Sequence, residues 1–289
     1  RDAMTDRHDG RSQSGAPEAD PSGAPAWDGV LFDLDDTLLD LKTAQRAAFT
    51  ATVCRQWPGV DALGEGPLRA AAVDFAADVH GHYQRYIAGE LTFAEQRLAR
   101  AADALQGLGA PGAEAVPDAQ LWVTEYEHLV RSHWRLFPEV AAVLEQVRAS
   151  GRPVGIVTNN VEEYQRGKAA AIGLGWIDVV VGSDTAGAPK PDAAPFLAGC
   201  AGLRTETART LFVGDSLTHD VAGASGAGLV PVWSVRDAAD TADGSGEGAG
   251  TEPVDRRGHE IRRATAAPVR EPERGCWRIG SLEALRAWL

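Results

Sequence analysis

Residues 29–37 read Gly-Val-Leu-Phe-Asp-Leu-Asp-Asp-Thr, a short apolar run that ends abruptly in carboxylates. A continuous apolar run of this length, bounded by polar residues, is typical of a strand buried on both faces of a parallel sheet. The carboxylates of Asp33 and Asp35 would then lie just beyond the carboxyl end of that strand. In open parallel sheets this edge is where ligands bind, so the segment indicates both a fold and a site.

The same alternation of strand and helix recurs over much of the chain. Strands are predicted at 29–33, 153–158, 178–183, 210–215 and 230–235, and helices at 138–149, 162–172, 192–201 and 217–226. Strands rich in Val, Ile and Leu that alternate with helices indicate a parallel sheet covered by helices on both faces. The expected fold class is therefore α/β, with a doubly wound parallel sheet.

A purely helical stretch separates the first strand from the second. Helices are predicted at 41–56, 67–88, 93–108 and 118–136, and Thr92 with Glu95 fits a capping box at the start of the third. We expect residues 41–137 to form a four-helix bundle inserted into the α/β core. The core itself is predicted to consist of residues 27–40, 138–236 and 276–289.

Two segments have no apolar periodicity. Residues 1–26 are rich in Gly, Pro, Ser, Asp and Ala, and residues 237–275 include the run TADGSGEGAGTEP. Segments of this composition bury too little apolar surface to offset the entropy lost on ordering. We predict a disordered tail at 1–26 and a disordered insertion at 237–275.

Composition excludes several classes of partner. The chain carries 41 acidic and 28 basic side chains, a formal net charge of −13, which disfavours duplex nucleic acid and anionic membrane surfaces. The three cysteines form no metal-binding spacing, and no apolar run approaches the roughly 18 residues of a membrane span. We expect a cytoplasmic protein with neither a nucleic-acid nor a membrane partner. The pattern does not specify an oligomeric state.

Lysine is unusually scarce. The chain has three lysines, Lys42, Lys168 and Lys190, against 25 arginines. Abundant Ala and Gly beside so few lysines are typical of a GC-rich genome, in which lysine codons are rare. Each lysine that is present therefore merits a reason. Lys190 precedes the proline that opens a predicted helix, on the side of the sheet where the carboxylates lie.

Four strands end in polar residues at the same edge of the predicted sheet. Asp33, Asp35 and Asp215 supply hard carboxylate oxygens without Cys or His beside them, a donor set that suits Mg²⁺. Thr158 supplies a hydroxyl at the start of a helix, and Lys190 supplies a positive charge. A metal, a cation and amide donors around a carboxylate are the components that phosphoryl transfer requires.

These residues resemble four motifs of the haloacid dehalogenase-like (HAD) superfamily. The block Asp33-Leu34-Asp35-Asp36-Thr37-Leu38 resembles the first motif and Val157-Thr158-Asn159 the second. Lys190-Pro191 resembles the third, and the block from Gly214 to Asp220 the fourth. All four occur in order over roughly residues 28–236, each at a strand end or at the helix start that follows. The resemblance implies a Rossmann-like core.

The resemblance also implies a role for each matching residue. Asp33 would attack phosphorus to form an aspartyl-phosphate, and Asp35 would act first as general acid and then as general base. Thr158 and Lys190 would bind the phosphoryl oxygens, with Asn159 assisting through its backbone N–H.

The metal ligands follow from the same resemblance. Mg²⁺ would be held by the Asp33 carboxylate, the backbone carbonyl of Asp35 and the carboxylate of Asp215, with Asp220 in support. Asp220 alone could be a solvated helix residue, but the motif around it favours the functional role.

Spacing and the second aspartate define the branch of the family. Asp33 and Thr158 are 125 positions apart, whereas a βαβ unit needs about 30, which leaves room for a helical cap between the first two motifs. Family dehalogenases lack an acid at the position of Asp35, because halide leaves without a proton. The sequence therefore favours a phosphatase acting on a small phosphorylated metabolite.

Two alternatives stay open. A phosphomutase shares all four motifs, and a non-catalytic scaffold would use the fold or its tails to bind a partner. The sequence Asp35-Asp36-Thr37 is more similar to the nucleotidase and acylneuraminate-phosphatase branches than to the phosphoglycolate phosphatases, whose motif has Gly at the middle position.

Overall fold

A computed structural model of the chain describes residues 24–57, 59–108, 118–236 and 267–289. Most of the predicted tail (residues 1–23) and of the predicted insertion (residues 237–266) lies outside the described residues. Those parts of the two predictions are untested. The described segments contain the residues of all four motifs.

The core is a sheet with seven strands in the described part of the chain. Its strands are β1 Gly29–Phe32, β2 Val154–Val157, β3 Val179–Val181, β4 Thr210–Gly214, β5 Val230–Ser234, β6 Val269–Glu271 and β7 Cys276–Ile279. They lie in the order β3-β2-β1-β4-β5-β7-β6, and every neighbouring pair is parallel except β6 with β7. This is the doubly wound α/β architecture that the sequence predicted, with β1 between β2 and β4 in the interior of the sheet.

The register of the strands places the polar residues side by side. Phe32 of β1 is aligned with Ile156 of β2 and with Val213 of β4. The next residue, Asp33, donates its backbone N–H to the carbonyl of Val213 at 2.9 Å. All four residues of β1 are buried, which is why a continuous apolar run specifies this strand. The first polar residue after it therefore emerges at the edge of the sheet.

Among the described residues of the segment 41–137, the chain forms five helices. They are α1 Leu41–Gln56, α2 Glu65–Ala77, α3 His82–Ile87, α4 Phe93–Leu108 and α5 Ala119–Ser132. The bounds of α1 and α4 agree with the predicted helices at both ends, and the Thr92–Glu95 capping box is present, with Thr92 N–H donating to Glu95 at 2.7 Å.

The prediction of one helix at 67–88 is wrong, because the structure has two helices there, α2 and α3. Asp78 has a left-handed backbone with φ of 49°, and Gly81 has φ of 72°, so the chain turns between them. The Asp78 carboxylate accepts hydrogen bonds from the backbone N–H groups of His82 at 3.0 Å and Tyr83 at 2.8 Å. It thereby satisfies the open donors at the start of α3.

The remaining helices cover the faces of the sheet. They are α6 Val140–Ala149, α7 Glu162–Ala171, α8 Ser183–Ala186, α9 Ala193–Leu203 and α10 Ala222–Gly226, the last preceded by a π-helical turn at Leu217–Val221. A 3₁₀ segment, Leu282–Trp288, closes the chain. None of the helices in the described residues is both long and apolar enough to cross a membrane.

The end of the predicted insertion is ordered, which corrects its boundary. Residues 269–271 form the edge strand β6, which pairs antiparallel with β7 through Val269–Arg278 and Glu271–Cys276. The turn between them ends at Gly275, whose φ of 64° suits a residue without a side chain. Residues 267–275 therefore belong to the core sheet and its hairpin, not to a disordered segment.

An aromatic cluster holds the helices of the inserted unit together. Phe75 of α2 stacks on Phe49 of α1 with ring centroids 4.8 Å apart. It also meets the edges of Trp122 and Tyr126 of α5 at 5.9 and 5.3 Å. Phe75 is 1% exposed, so its removal leaves a cavity that three helices share.

Phe75→Ala is expected to lower the free energy of unfolding by about 3–5 kcal/mol, because the buried ring is lost and a cavity remains. Val73→Ala on the same helix is the matched control, since Val73 is 41% exposed. The control is expected to change stability by no more than about 0.5 kcal/mol. Urea unfolding followed by circular dichroism measures both. Equal effects of the two substitutions would contradict this account of the cluster.

Candidate active site

The seven residues singled out from the sequence line one cavity of about 400 Å³ at the carboxyl edge of the sheet: Asp33, Asp35, Thr158, Asn159, Lys190, Asp215 and Asp220. The loops after β1, β2 and β4 and the segment before α9 bring them there. The core supplies one wall and the inserted helices supply the other. The geometry therefore assembles the predicted set in one place, while the role of each residue stays a prediction.

Three carboxylates form the acidic part of this cavity. One oxygen each of Asp33, Asp215 and Asp220 lies within 4.8 Å of the other two. Lys190 lies beside two of them, with its Nζ 2.7 Å from Asp33 Oδ1 and 2.7 Å from Asp220 Oδ1. Burial raises the pKa of Asp33 to about 7, although the Lys190 ammonium opposes the shift.

Burial and the neighbouring carboxylates of Asp36, Asp33 and Asp220 hold the pKa of Asp215 well above its usual range. Repulsion of this kind is relieved by a further positive charge at the cluster. The donor atoms are all carboxylate oxygens, with no Cys or His in the group. Such a set fits a hard divalent cation.

Asp220 is held in the cluster by the backbone of its own loop. Ser216 donates its N–H to Asp220 Oδ2 at 3.0 Å, within the π-helical turn. The side chain lies directly over Gly214, where a Cβ would overlap the Asp220 carboxylate. Only glycine at position 214 leaves room for this arrangement. Asp220 is 2% exposed, which is inconsistent with a solvated surface residue.

Asn159 fixes the position of Lys190. The Asn159 side chain donates to the Lys190 carbonyl at 3.0 Å and accepts from the Lys190 backbone N–H at 2.6 Å. The expected contribution of Asn159 was a backbone N–H toward phosphate. The structure shows in addition that its side chain clamps the main chain of the lysine, across 31 positions of sequence.

The Thr158 hydroxyl is oriented by two donors. It accepts from the backbone N–H of Asn160 at 3.4 Å and from Gln165 Nε2 at 2.8 Å. Because a hydroxyl has two acceptor positions and one hydrogen, its own hydrogen is left to donate. Thr158 thus offers a hydrogen-bond donor beside the acidic cluster.

The Asp35 carboxylate lines the same cavity and is bonded to side chains of α7. Lys168 Nζ lies 2.7 Å from Asp35 Oδ1 and 2.9 Å from Oδ2, and Gln165 Nε2 lies 3.0 Å from Oδ2. Neither partner was assigned to the site from the sequence. A signal was present, since lysine is rare and Gln165 and Lys168 stand three positions apart on the helix that follows Thr158.

Lys42 also belongs to the site. Its Nζ lies 3.2 Å from Asp36 and 3.8 Å from Asp215, and its backbone N–H donates to Asp36 at 3.0 Å. Each of the three lysines of the chain therefore pairs with at least one aspartate of the cavity. Lysine is scarce in this chain, and all three lysines, not Lys190 alone, lie at the candidate site.

The helical unit closes the cavity from the other side. The lining residues that α3 and α4 contribute are Tyr83, Gln84, Phe93, Gln96, Arg97 and Arg100. Tyr86 of α3 donates its hydroxyl to Asn160 in the core at 3.2 Å. Arg97 bonds to Glu127 of α5 and, at 3.3 Å, to the hydroxyl of Tyr164 on α7. These contacts place the helical unit directly over the aspartates.

The fold and the site together define an α/β protein with an acidic, cation-compatible site at the carboxyl edge of a parallel sheet, covered by an inserted helical unit. The family description "haloacid dehalogenase-like hydrolase" matches residues 27–228. The chain belongs to this family of hydrolases. The matched segment covers the predicted motifs and every residue of the cavity discussed above.

Curated relatives of the chain include phosphatases. The chain is similar to a phosphoserine phosphatase of Thermus thermophilus, with 32% identity over 71% of this chain and 87% of the relative. It is also similar to a phosphoglycolate phosphatase of Yersinia pseudotuberculosis, with 29% identity over 69% of this chain and 77% of the relative. The second of these belongs to the branch that the Asp35-Asp36-Thr37 sequence was expected to resemble less.

Solved structures share the fold. A dehalogenase crystallised as an intermediate complex superposes with a TM-score of 0.59 and 16% identity, covering 92% of this chain and 98% of the dehalogenase. At this identity the likeness concerns the architecture alone. The predicted α/β class is therefore an architecture that crystallography has observed.

Gly214→Ala is expected to weaken the binding of a divalent cation at least about tenfold, because the added methyl group displaces the Asp220 carboxylate. Calorimetric titration of Mg²⁺ measures the affinity. Gly226→Ala is the matched control, since a Cβ there meets no atom within 4 Å. Unchanged Mg²⁺ affinity in Gly214→Ala would show that Asp220 does not support a metal site.

Proposed function

We propose that this protein is a Mg²⁺-dependent phosphatase that hydrolyses the phosphate monoester of a small metabolite through an aspartyl-phosphate intermediate. The observation that carries the proposal is the arrangement of two aspartates in one cavity. Asp33 lies against Lys190 and the acidic cluster, and Asp35, two residues on, has separate partners on α7. Membership of a hydrolase family and the phosphatase names of the relatives support it.

In the first step Asp33 acts as nucleophile. Its Oδ1 is bonded to Lys190 Nζ, which leaves Oδ2 to attack phosphorus. The bond from phosphorus to the ester oxygen breaks, and the ester oxygen leaves with a proton from Asp35. Thr158 donates its free hydroxyl hydrogen to a phosphoryl oxygen, and the Lys190 ammonium offsets phosphoryl charge.

In the second step water hydrolyses the aspartyl-phosphate. Asp35, now a carboxylate, takes a proton from the attacking water, and the Asp33 carboxylate is released together with inorganic phosphate. Mg²⁺, held by the carboxylates of Asp33 and Asp215 and the backbone carbonyl of Asp35 with Asp220 beside them, would neutralise the charge of the phosphoryl group.

Residues 41–137 would serve as a cap that determines which substrates enter. Helices α3 and α4 supply the far wall of the cavity, and a volume of about 400 Å³ suits a small metabolite rather than a polymer. The direct bonds from Tyr86 to Asn160 and from Arg97 to Tyr164 link this unit to the core. A cap in this position excludes water from the reacting phosphate.

Asp33→Asn is expected to lower phosphate release from p-nitrophenyl phosphate by at least about 10³-fold in the presence of Mg²⁺, because the nucleophile is lost. Asp28→Asn is the control, an exposed aspartate just before the same strand that pairs with Arg209. The control is expected to keep wild-type activity. Wild-type release no faster than that of Asp33→Asn would refute the phosphatase and favour a non-catalytic scaffold.

The same assay separates the enzymatic alternatives. A phosphomutase would move phosphate between positions of one sugar without net release, so the accumulation of inorganic phosphate from a panel of phosphorylated metabolites distinguishes it from a phosphatase. A dehalogenase would release halide from a 2-haloacid. Halide release with no phosphate release would overturn the role assigned to Asp35.

The rise in melting temperature caused by Mg²⁺ is expected to be larger at pH 8 than at pH 6. Burial raises the pKa of Asp33 to about 7 and that of Asp215 well above its usual range, so the metal-free protein binds extra protons below those values. Mg²⁺ must displace these protons, and its affinity therefore falls as the pH falls. Thermal melts at constant ionic strength measure the effect, and equal shifts at both pH values would contradict it.

A further inference from the structure

We propose that Lys168 and Gln165 are positioning residues that hold Asp35 in the orientation from which it transfers protons. The proposal rests on the phosphatase function and adds two residues that none of the four motifs contains. Both stand on α7, more than a hundred positions from Asp35 in the sequence. They would act on the reaction through Asp35 and not through the phosphate.

The geometry restricts the Asp35 carboxylate on both of its oxygens. Lys168 Nζ bonds to Oδ1 at 2.7 Å and to Oδ2 at 2.9 Å, and Gln165 Nε2 bonds to Oδ2 at 3.0 Å. Three donor contacts from one rigid helix leave the side chain little freedom to rotate. A single ion pair on a mobile side chain would not impose this restriction.

Burial makes the pairing specific. Lys168 is 2% exposed, and Asp35 supplies the one carboxylate within 4.0 Å of its Nζ among the described residues. The rings of Trp134 and Tyr164 lie 5.5 and 5.3 Å from the same nitrogen. Burial of an unpaired ammonium group is unfavourable in free energy. The packing around α7 therefore favours the ion pair between Lys168 and Asp35.

Gln165 links the proton-transfer group to the phosphate-binding group. Its Nε2 donates both to Asp35 Oδ2 at 3.0 Å and to Thr158 Oγ1 at 2.8 Å, and the side chain is fully buried. In its ionised form Asp35 can only accept, so the amide presents its nitrogen to the carboxylate. One amide therefore fixes the relative position of the hydroxyl that meets the phosphoryl group and the carboxyl that meets the leaving oxygen.

The consequence is a dependence on the leaving group. When the ester bond breaks, the proton passes from Asp35 to the ester oxygen, and the carboxylate that remains lies beside the Lys168 ammonium. A poor leaving group needs that proton in the transition state, whereas a good leaving group departs without it. A misplaced Asp35 should therefore impair the first kind of substrate selectively.

The test compares kcat/KM for phenyl phosphate, a poor leaving group, with kcat/KM for 2,4-dinitrophenyl phosphate, a good one. Lys168→Met is expected to lower the first by about 10²-fold and the second by less than about 5-fold. Lys168→Arg, which keeps the charge, is expected to recover part of the loss. Arg166→Met is the matched control on the same helix, because Arg166 is 44% exposed and pairs with Glu162.

A double-mutant cycle excludes a merely structural role. In an Asp35→Asn background, Lys168→Met is expected to cause no further loss on either substrate, because the residue through which Lys168 acts has already been changed. An equal loss on both substrates, or a loss that persists undiminished in the Asp35→Asn background, would overturn the proposal.

Crystal structures of the wild type and of Lys168→Met provide a measurement that does not depend on turnover. The Asp35 carboxylate is expected to leave its position against α7 in the variant, and an unchanged position would overturn the proposal. An inactive wild type would refute the phosphatase function, whereas an active wild type whose Lys168→Met variant shows no dependence on the leaving group would refute the positioning role alone.

Discussion

Five aspartates meet at the carboxyl edge of the sheet, and the repulsion among their charges is the constraint to which the surrounding structure responds: Asp33, Asp35, Asp36, Asp215 and Asp220. Carboxylates that lie close together repel one another, and cations beside them offset this repulsion. The three lysines of the chain offset part of this negative charge. Lys190 pairs with Asp33 and Asp220, Lys168 with Asp35, and Lys42 with Asp36. The charge that these lysines leave uncompensated is what a divalent cation would balance.

Backbone alignment and side-chain contacts together hold these pairs in place. Strands β1 and β4 are neighbours in the sheet. Asp33 directly follows the last residue of β1, and Asp215 directly follows the last residue of β4. Gly214 leaves space for Asp220, and the Asn159 side chain clamps the main chain of Lys190. Rigid placement of this kind reduces the reorganisation that a charged reaction would otherwise require.

Helices and strands that are specified by their own sequence pattern could be predicted from the sequence. Those that depend on contacts with distant parts of the chain could not. The core strands follow from their apolar runs, whose predicted and observed bounds differ by two residues at most. The break between α2 and α3 depends on the left-handed backbone of Asp78. The spacing of apolar residues carries no information about this conformation. Strand β6 reads Val-Arg-Glu and pairs with β7 alone, so its existence depends on a partner and not on its own pattern. In the site, the positions of the motifs at strand ends predicted which residues would converge. The face of α7 that contacts Asp35 depends on packing around Trp134 and Tyr164.

All three lysines lie at one cavity, and this placement allows selective chemical labelling of the protein at that site. Two of their side-chain amines, those of Lys168 and Lys190, are almost fully buried, and that of Lys42 is 49% exposed at the mouth of the site. An amine-selective reagent therefore finds a single accessible lysine, 3.8 Å from Asp215. A fluorophore attached at Lys42 would report on occupancy of the acidic cluster from within a few ångströms, without the competing labels that a lysine-rich surface would carry.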